Sequence, residues 1–219
     1  MKNKNKIIII CLAAGIAFSM VSVTLAYLGT MQPKNNVITV GHDEVSIDEE
    51  FSSPDKMEMS NTTPKQINIK NTGSVPCYVR VFAEFSDSVV AADASVVTEK
   101  NAEMTWENFK NGLKLDQSPK TISDHWRYVP ASSGNKLGGY FYYTEKLLPG
   151  QTTGEPLIKS VKTDFNSAED DNIDRIKDFD IIVYSETVQS TEIGGAGFED
   201  NESAPAWKQA WESFLKVGP

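Results

Sequence analysis

The stretch Cys77-Tyr-Val-Arg-Val-Phe-Ala-Glu-Phe85 decides the fold class, because apolar residues occupy every second position along it. Successive side chains of a β-strand point to opposite faces of a sheet, so the odd-numbered residues share one face. That face is wholly apolar and consists of Cys77, Val79, Val81, Ala83 and Phe85. We predict a strand in which Cys77 is a buried, small apolar side chain; a reactive thiol or an intermolecular disulfide is the alternative.

Strand patterns continue on both sides of this stretch. Residues 66–70 alternate polar and apolar side chains with period 2, and residues 71–76 are rich in turn-forming residues. Strands are also predicted at residues 36–40, 45–51, 126–129, 139–144, 157–165 and 180–189. Residues 148–153, Leu-Pro-Gly-Gln-Thr-Thr, read as a loop between two of them.

Two segments have the periodicity of a helix instead. Residues 105–113 and 203–215 each carry a stripe of large apolar side chains on one face. The first stripe is Trp106, Phe109 and Leu113, and the second is Trp207, Ala210, Trp211 and Phe214. Thr105 and Ser203 suit the N-cap positions. We expect both stripes to pack on the sheets; the alternative is that one of them docks a partner.

Many strands joined by long, turn-rich connections indicate an antiparallel β-sandwich. The long connections at residues 86–100 and 166–177 favour the jelly-roll type over a stack of hairpins. We therefore predict a mainly β chain with one or two short helices. Residues 1–26 form a signal peptide, residues 27–41 an extended leader or first strand, and residues 42–219 the sandwich domain.

The N-terminus has the features of a secretory signal. The first six residues carry three lysines and no acid, and residues 7–17 are almost wholly apolar. Thr24 and Ala26 are small residues two positions apart, which places the cut between Ala26 and Tyr27. An uncleaved membrane anchor is the alternative, although the interrupted apolar run is thin for a membrane span.

Charge and cysteine content restrict the partners and the compartment. The chain carries −9, and removal of the three signal lysines leaves 18 basic against 30 acidic residues, or −12. This charge argues against nucleic acid and anionic lipid as partners. Only Cys77 remains after cleavage, so an internal disulfide is excluded, which fits a Gram-positive bacterium better than a higher organism.

Catalytic motifs are absent from the sequence. The two histidines, His42 and His125, lie outside any His-Glu-x-x-His pattern, and Gly-x-Ser-x-Gly does not occur. Asp124 and His125 are adjacent, and neighbouring strand residues point to opposite faces. We predict neither an enzyme nor a bound cofactor.

Residues 164–174 form the best candidate metal loop. Asp164 and Asn166 match the first two ligand positions of a calcium-binding loop, but Ala168 and Glu169 break the pattern. We therefore predict a solvated acidic loop, with Asp164, Asn166 and Asp170 as the candidate ligands should a metal bind there.

Four segments taken in order resemble a bacterial family. They are Thr24-Leu-Ala-Tyr-Leu-Gly-Thr30 with residues 36–41, Ile69-Lys-Asn-Thr-Gly-Ser-Val-Pro-Cys-Tyr-Val-Arg-Val81, Tyr140-Phe-Tyr-Tyr-Thr-Glu-Lys-Leu-Leu-Pro-Gly-Gln-Thr-Thr153, and residues 181–189. Together they are similar to SipW-dependent exported proteins of the TasA and camelysin (CalY) family. The last segment departs from the family at Ser185, Glu186 and Thr187, where small apolar residues are usual.

The resemblance implies a jelly-roll domain, processing by the dedicated signal peptidase SipW, and assembly into surface fibres. We expect a secreted structural protein of the bacterial surface or biofilm matrix. Its partners would be other copies of itself or other matrix proteins, and it would meet the membrane only before cleavage. A secreted camelysin-like metalloprotease is one alternative. A monomeric binding module that holds carbohydrate with Trp126, Tyr140 and Tyr142 is another.

A β-sandwich with an open edge can accept an extended strand from another subunit. The leader freed by signal cleavage is the candidate donor, and its apolar residues are Tyr27, Leu28, Val37, Ile38 and Val40. The alternative is that residues 36–40 form the first strand of their own sandwich, which would leave only residues 27–35 to donate.

Overall fold

Strand pairing between distant segments organises the chain. The computed structural model describes residues 43–51, 60–164, 180–191, 195, 197–201 and 204–217, all within one unit, Gly41–Pro219. The strands in these ranges are β1 (Val45–Phe51), β2 (Ser60–Asn71), β3 (Cys77–Phe85), β4 (Ala94–Val97), β5 (Glu103–Thr105), β6 (Trp126–Val129), β7 (Tyr140–Tyr143), β8 (Ser160–Asp164) and β9 (Ile181–Gln189). The helices are α1 (Ser88–Asp93), α2 (Trp106–Gly112) and α3 (Ala206–Val217), with a 3₁₀ turn at Pro119–Thr121.

The strands form two antiparallel sheets. The first has the order β1-β2-β8-β4-β5, and the second has the order β6-β7-β3-β9. β3 is the centre of the second sheet and pairs along its whole length with β9, from Cys77 opposite Gln189 to Phe85 opposite Ile181. The chain is therefore a mainly β, antiparallel β-sandwich with short helices, as predicted; the jelly-roll type stays a prediction.

One hydrophobic core fills the space between the sheets. β3 contributes the whole face that its alternation predicts, and Cys77, Val79 and Val81 are completely buried. Ile67 and Ile69 of β2 face them from the first sheet. Burial raises the pKa of the Cys77 thiol, while a hydrogen bond with Thr187 acts against this. The interpretation of Cys77 as a buried apolar residue is confirmed.

α2 closes the core beside the second sheet. Thr105 is its N-cap, as predicted, and its hydroxyl accepts a hydrogen bond from the Asn108 amide. Trp106 and Phe109 are buried and lie with ring centroids 5.5 Å apart, and Phe109 also contacts Phe141 of β7. The predicted stripe therefore packs on the sheet core.

α3 packs on the outer face of the second sheet rather than on the core between the sheets. Trp207 and Trp211 are buried against Tyr142 of β7 and Tyr78 of β3. The predicted second stripe thus also covers a sheet, except that Phe214 stays 49% exposed. The proposed cap Ser203 lies outside the described residues. Across those residues, no helix is both long and apolar enough to span a membrane.

Candidate functional site

Most residues that the sequence marks for function fall outside the described ranges. These are the cleavage residues Thr24, Ala26 and Tyr27, and the donor residues Leu28, Val37, Ile38 and Val40. Of the candidate metal ligands, Asp164 is the last residue of β8, and Asn166 and Asp170 lie beyond the described part of the chain. In that part, no group of three or more His, Cys, Asp or Glu side chains could hold a metal ion.

The edge strand β9 is the first candidate site. Within the described residues, the edge strands of the second sheet are β9, with nine residues, and β6, with four. At the two ends of the β3–β9 ladder, the Ser190 amide donates to the Pro76 carbonyl (3.0 Å) and the Ser86 amide donates to the Asp180 carbonyl (2.8 Å). Hydrogen-bonded pairs alternate in an antiparallel ladder. The backbone groups of the intervening odd-numbered residues, among them Ser185, therefore face away from β3.

The segment before β1 joins the sandwich at the end where β9 finishes. The Glu44 carbonyl accepts hydrogen bonds from the amides of Thr72 (2.9 Å) and Gly73 (3.0 Å) in the turn after β2. The same turn leads into Cys77, which pairs with Gln189, the last residue of β9. Glu44 therefore lies at the turn that leads to the end of β9.

Asn71 connects the turn after β2 with the loop at residues 147–151. Its side-chain amide donates to the carbonyls of Val75 (2.9 Å) and Leu147 (3.0 Å), and its side-chain oxygen accepts from the Gly73 amide (2.9 Å). Its backbone also bonds with Gly150 and Gln151, each at 2.8 Å. The Asn-Thr-Gly-Ser turn and the Leu-Pro-Gly-Gln loop thus form one hydrogen-bonded corner of the sandwich.

His125 lines an open cleft of about 560 Å³ with charged walls. Its Nδ1 atom lies 3.6 Å from the Glu145 carboxylate. Asp124 instead bonds to the Lys100 ammonium at 2.7 Å, and this hydrogen bond lowers the pKa of Asp124. Asp124 and His125 therefore have separate partners and do not form a catalytic pair. The second histidine, His42, lies outside the described residues.

A buried carboxylate, Glu155, forms hydrogen bonds with the segment that contains His125. It accepts hydrogen bonds from the Ser123 hydroxyl and from the His125 amide (2.7 Å), and its backbone carbonyl accepts from the Trp126 indole (3.1 Å). These bonds fix the start of β6. No sequence pattern marks Glu155, because a glutamate between a glycine and a proline is typical of an exposed loop.

Arg80 is the centre of the second candidate site, on the outer face of the second sheet. Its guanidinium carbon lies 3.9 Å from the ring centroid of Tyr140 and 4.3 Å from that of Trp211. Its Nε donates to the Glu186 carboxylate at 2.7 Å. A guanidinium between two rings is a cation–π arrangement, here strengthened by an ion pair. The residue is 5% exposed.

Hydrogen bonds and burial set the protonation of this cluster. Burial lowers the pKa of Arg80, but hydrogen bonds with Tyr142 and Glu186 help raise it above its ordinary value. Burial raises the pKa of Tyr142 to about 12, against the opposing effect of its hydrogen bond with Arg80. Arg80 therefore stays a cation and Tyr142 a neutral phenol in ordinary buffers.

The aromatic residues suggested for carbohydrate binding are packing residues. Trp126 and Tyr142 are completely buried, and Tyr140 is half-buried beneath the Arg80 guanidinium. Trp126 and Tyr142 therefore have no face open to a sugar, and Arg80 covers one face of the Tyr140 ring. The alternative of a binding module would have to use other residues.

No family model matches this chain, and no curated protein shows significant similarity to it.

Proposed function

We propose that this chain is an exported structural protein of the bacterial surface or biofilm matrix, and that it forms fibres by donating its leader to a neighbouring copy. The observation that carries the proposal is the position of β9, a nine-residue strand, at the edge of the second sheet within the described residues. The edge strand of a sheet can accept an extended segment through main-chain hydrogen bonds. The resemblance to the TasA and camelysin family points in the same direction.

The leader is long enough to cover the whole edge of β9. The roughly 14 residues released between Tyr27 and Val40 would span about 45 Å when extended. The nine residues of β9 extend over about 30 Å. Val37, Ile38 and Val40 are β-branched residues that strands favour. The entropy lost on ordering the leader would be offset by the new hydrogen bonds and by burial of these side chains.

A proline in β9 tests the acceptor edge. The Ser185 amide faces away from β3, so Ser185→Pro removes an outward donor and adds a ring to the edge without breaking a bond to β3. Electron microscopy of the secreted protein should show fibres for the unchanged chain and for Ser185→Ala, and monomers for Ser185→Pro. Fibres of normal yield from Ser185→Pro would exclude β9 as the acceptor.

The same secreted preparation tests the signal cleavage and the metalloprotease alternative. Mass spectrometry of the secreted form should give a chain that starts at Tyr27; a mass that retains residues 1–26 would indicate a membrane-tethered protein instead. Deletion of the host's SipW should block this cleavage. Casein cleavage that a chelator inhibits and that His125→Ala or His42→Ala abolishes would overturn the structural proposal in favour of a metalloprotease.

A further inference from the structure

Three aromatic side chains form a row across the outer face of the second sheet, on β9, β3 and β7. Tyr184 and Phe82 face each other across the β3–β9 ladder with ring centroids 6.2 Å apart, and Phe82 lies 6.3 Å from Tyr140. α3 covers the neighbouring part of this face. Tyr184 is 63% exposed, and Ile182 next to it is 40% exposed. The β9 half of the row is therefore open to solvent.

A carboxylate flanks the row on each side. Glu186 is the next outward-facing residue after Tyr184 on β9, and Glu84 is the next outward-facing residue after Phe82 on β3. The cations that pair with them, Arg80 and Lys110, have side chains that are only 6% and 16% exposed. The side chains of Glu186 and Glu84 are 44% and 41% exposed. A partner that approaches this face therefore meets aromatic rings and carboxylate oxygens.

The fold already binds a guanidinium with the same chemistry. Arg80 lies over the Tyr140 ring while Glu186 accepts its hydrogen bond. The negative face of an aromatic ring attracts a cation, and a carboxylate at its rim adds a charge-assisted hydrogen bond. Tyr184 and Phe82 offer further ring surface beside the same carboxylates. The net charge of −9 adds long-range attraction for a basic partner.

We propose that the ring row, defined as Tyr184, Phe82 and Tyr140 with Glu84 and Glu186, docks a basic segment of a partner protein. Arginine or lysine side chains of that segment stack on Tyr184 and Phe82 and pair with the two carboxylates. A sugar chain needs a flat platform, but the Phe82 ring is inclined by 36° to the Tyr184 ring and by 69° to the Tyr140 ring. The geometry therefore favours a cationic peptide. This docking surface is separate from the β9 backbone edge and does not depend on fibre formation.

A labelled peptide of four Arg-Ser repeats is a suitable probe, and fluorescence anisotropy with the purified full-length chain measures its affinity. The matched peptide with citrulline in place of arginine keeps the shape and removes the charge. We expect the arginine peptide to bind and the citrulline peptide not to bind. Tyr184→Ala should weaken binding about fivefold, the size of one exposed cation–π contact, and Glu84→Gln by a similar factor.

Two control variants separate a specific surface from general attraction. Glu145→Gln removes one charge from the distant His125 cleft, and Phe214→Ala removes a ring that is 49% exposed on α3. Both should bind the peptide as the unchanged chain does, and circular dichroism should be the same for all variants. Equal weakening by Glu145→Gln and Glu84→Gln would overturn the proposal. Binding of cellohexaose but not of the arginine peptide would overturn it as well.

Discussion

Asn71 shows how one polar side chain can stabilise a corner of a β-sandwich. It is completely buried, and its amide group uses both of its donor hydrogens and its oxygen on backbone groups of the turn after β2 and of the loop before β8. Loss of such a group removes all three hydrogen bonds at once, and each buried hydrogen bond contributes about 1 kcal/mol to stability. The cost of substitution at residue 71 should therefore be large.

Asn71→Ala should lower the free energy of unfolding by about 3 kcal/mol, since it removes three buried or partly buried hydrogen bonds, to the Val75 and Leu147 carbonyls and from the Gly73 amide. Urea unfolding followed by tryptophan fluorescence measures this change. The neighbouring Thr72 is exposed, so Thr72→Ala is the matched control and should change the value by less than about 0.5 kcal/mol. Equal effects of the two substitutions would contradict this role of Asn71.

The pKa of Tyr142 predicts a loss of stability at high pH. The buried phenol keeps its proton up to a pKa of about 12, whereas tyrosine in the unfolded chain has a pKa near 10. Its contribution is therefore complete below pH 10 and is lost as the pH rises towards 12, with about 1 kcal/mol lost by pH 11.

Urea unfolding at pH 8, 10 and 11 tests this contribution by comparison with Tyr142→Phe. The variant should be less stable at pH 8, because it loses the hydrogen bond to the Leu137 carbonyl, but its stability should fall less steeply with pH. Burial also raises the pKa of Tyr78, Tyr128 and Tyr143, so these residues contribute to the pH dependence of stability in both proteins. An equal fall of stability with pH in the two proteins would contradict the raised pKa of Tyr142.

Single residues differ in how far the sequence predicts their environment. Burial of Cys77 follows from the alternation of its own strand, which is a local pattern. Arg80 occupies an outward position that reads as exposed, and its partners Tyr142 and Glu186 lie 62 and 106 residues away along the chain. A buried polar residue is stable only with partners that the tertiary fold supplies, so local pattern does not reveal it.

Among the elements, α3 packs on the outer face of the second sheet and forms a second hydrophobic cluster with it. Trp207 is 2% exposed and lies with its ring centroid 4.9 Å from that of Tyr142. Trp207→Ala should destabilise the protein by about 3 kcal/mol or more, because it leaves a large cavity between helix and sheet. Phe214→Ala on the same helix should cost less than about 1 kcal/mol, because that ring is half exposed. Thermal unfolding of both variants decides whether α3 is a structural element or a loosely attached one.

Elements with a long, regular pattern were the ones that the sequence predicted. The nine-residue strands β3 and β9 lie at the predicted positions to within one residue, and α2 begins after its predicted Thr105 cap. The predicted connection at residues 86–100 instead contains α1 and β4. A six-residue helix and a four-residue strand are too short to show a period, and pairing of β4 with β8 and β5 stabilises them.

At the scale of the whole molecule, the described core is built by the two sheets themselves. Residues from β2, β3, β4, β6, β7, β8 and β9 meet in one cluster, to which α1 and α2 add side chains and β1 adds the partly buried Val45 and Ile47. The core therefore gives the unit Gly41–Pro219 its own source of stability. Fold and assembly should consequently be separable by shortening the N-terminus.

Two shortened chains test this separation, one that starts at Asn36 and one that starts at Gly41. If the leader only donates, both should fold as monomers with unchanged circular dichroism and similar unfolding midpoints in urea, and neither should form fibres. If residues 36–40 are the first strand of their own sandwich, the chain that starts at Gly41 should unfold at a lower urea concentration than the chain that starts at Asn36. Fibres of normal yield from the chain that starts at Asn36 alone would show that residues 27–35 are not needed for donation. Fibres from both shortened chains would exclude the leader as the coupling element.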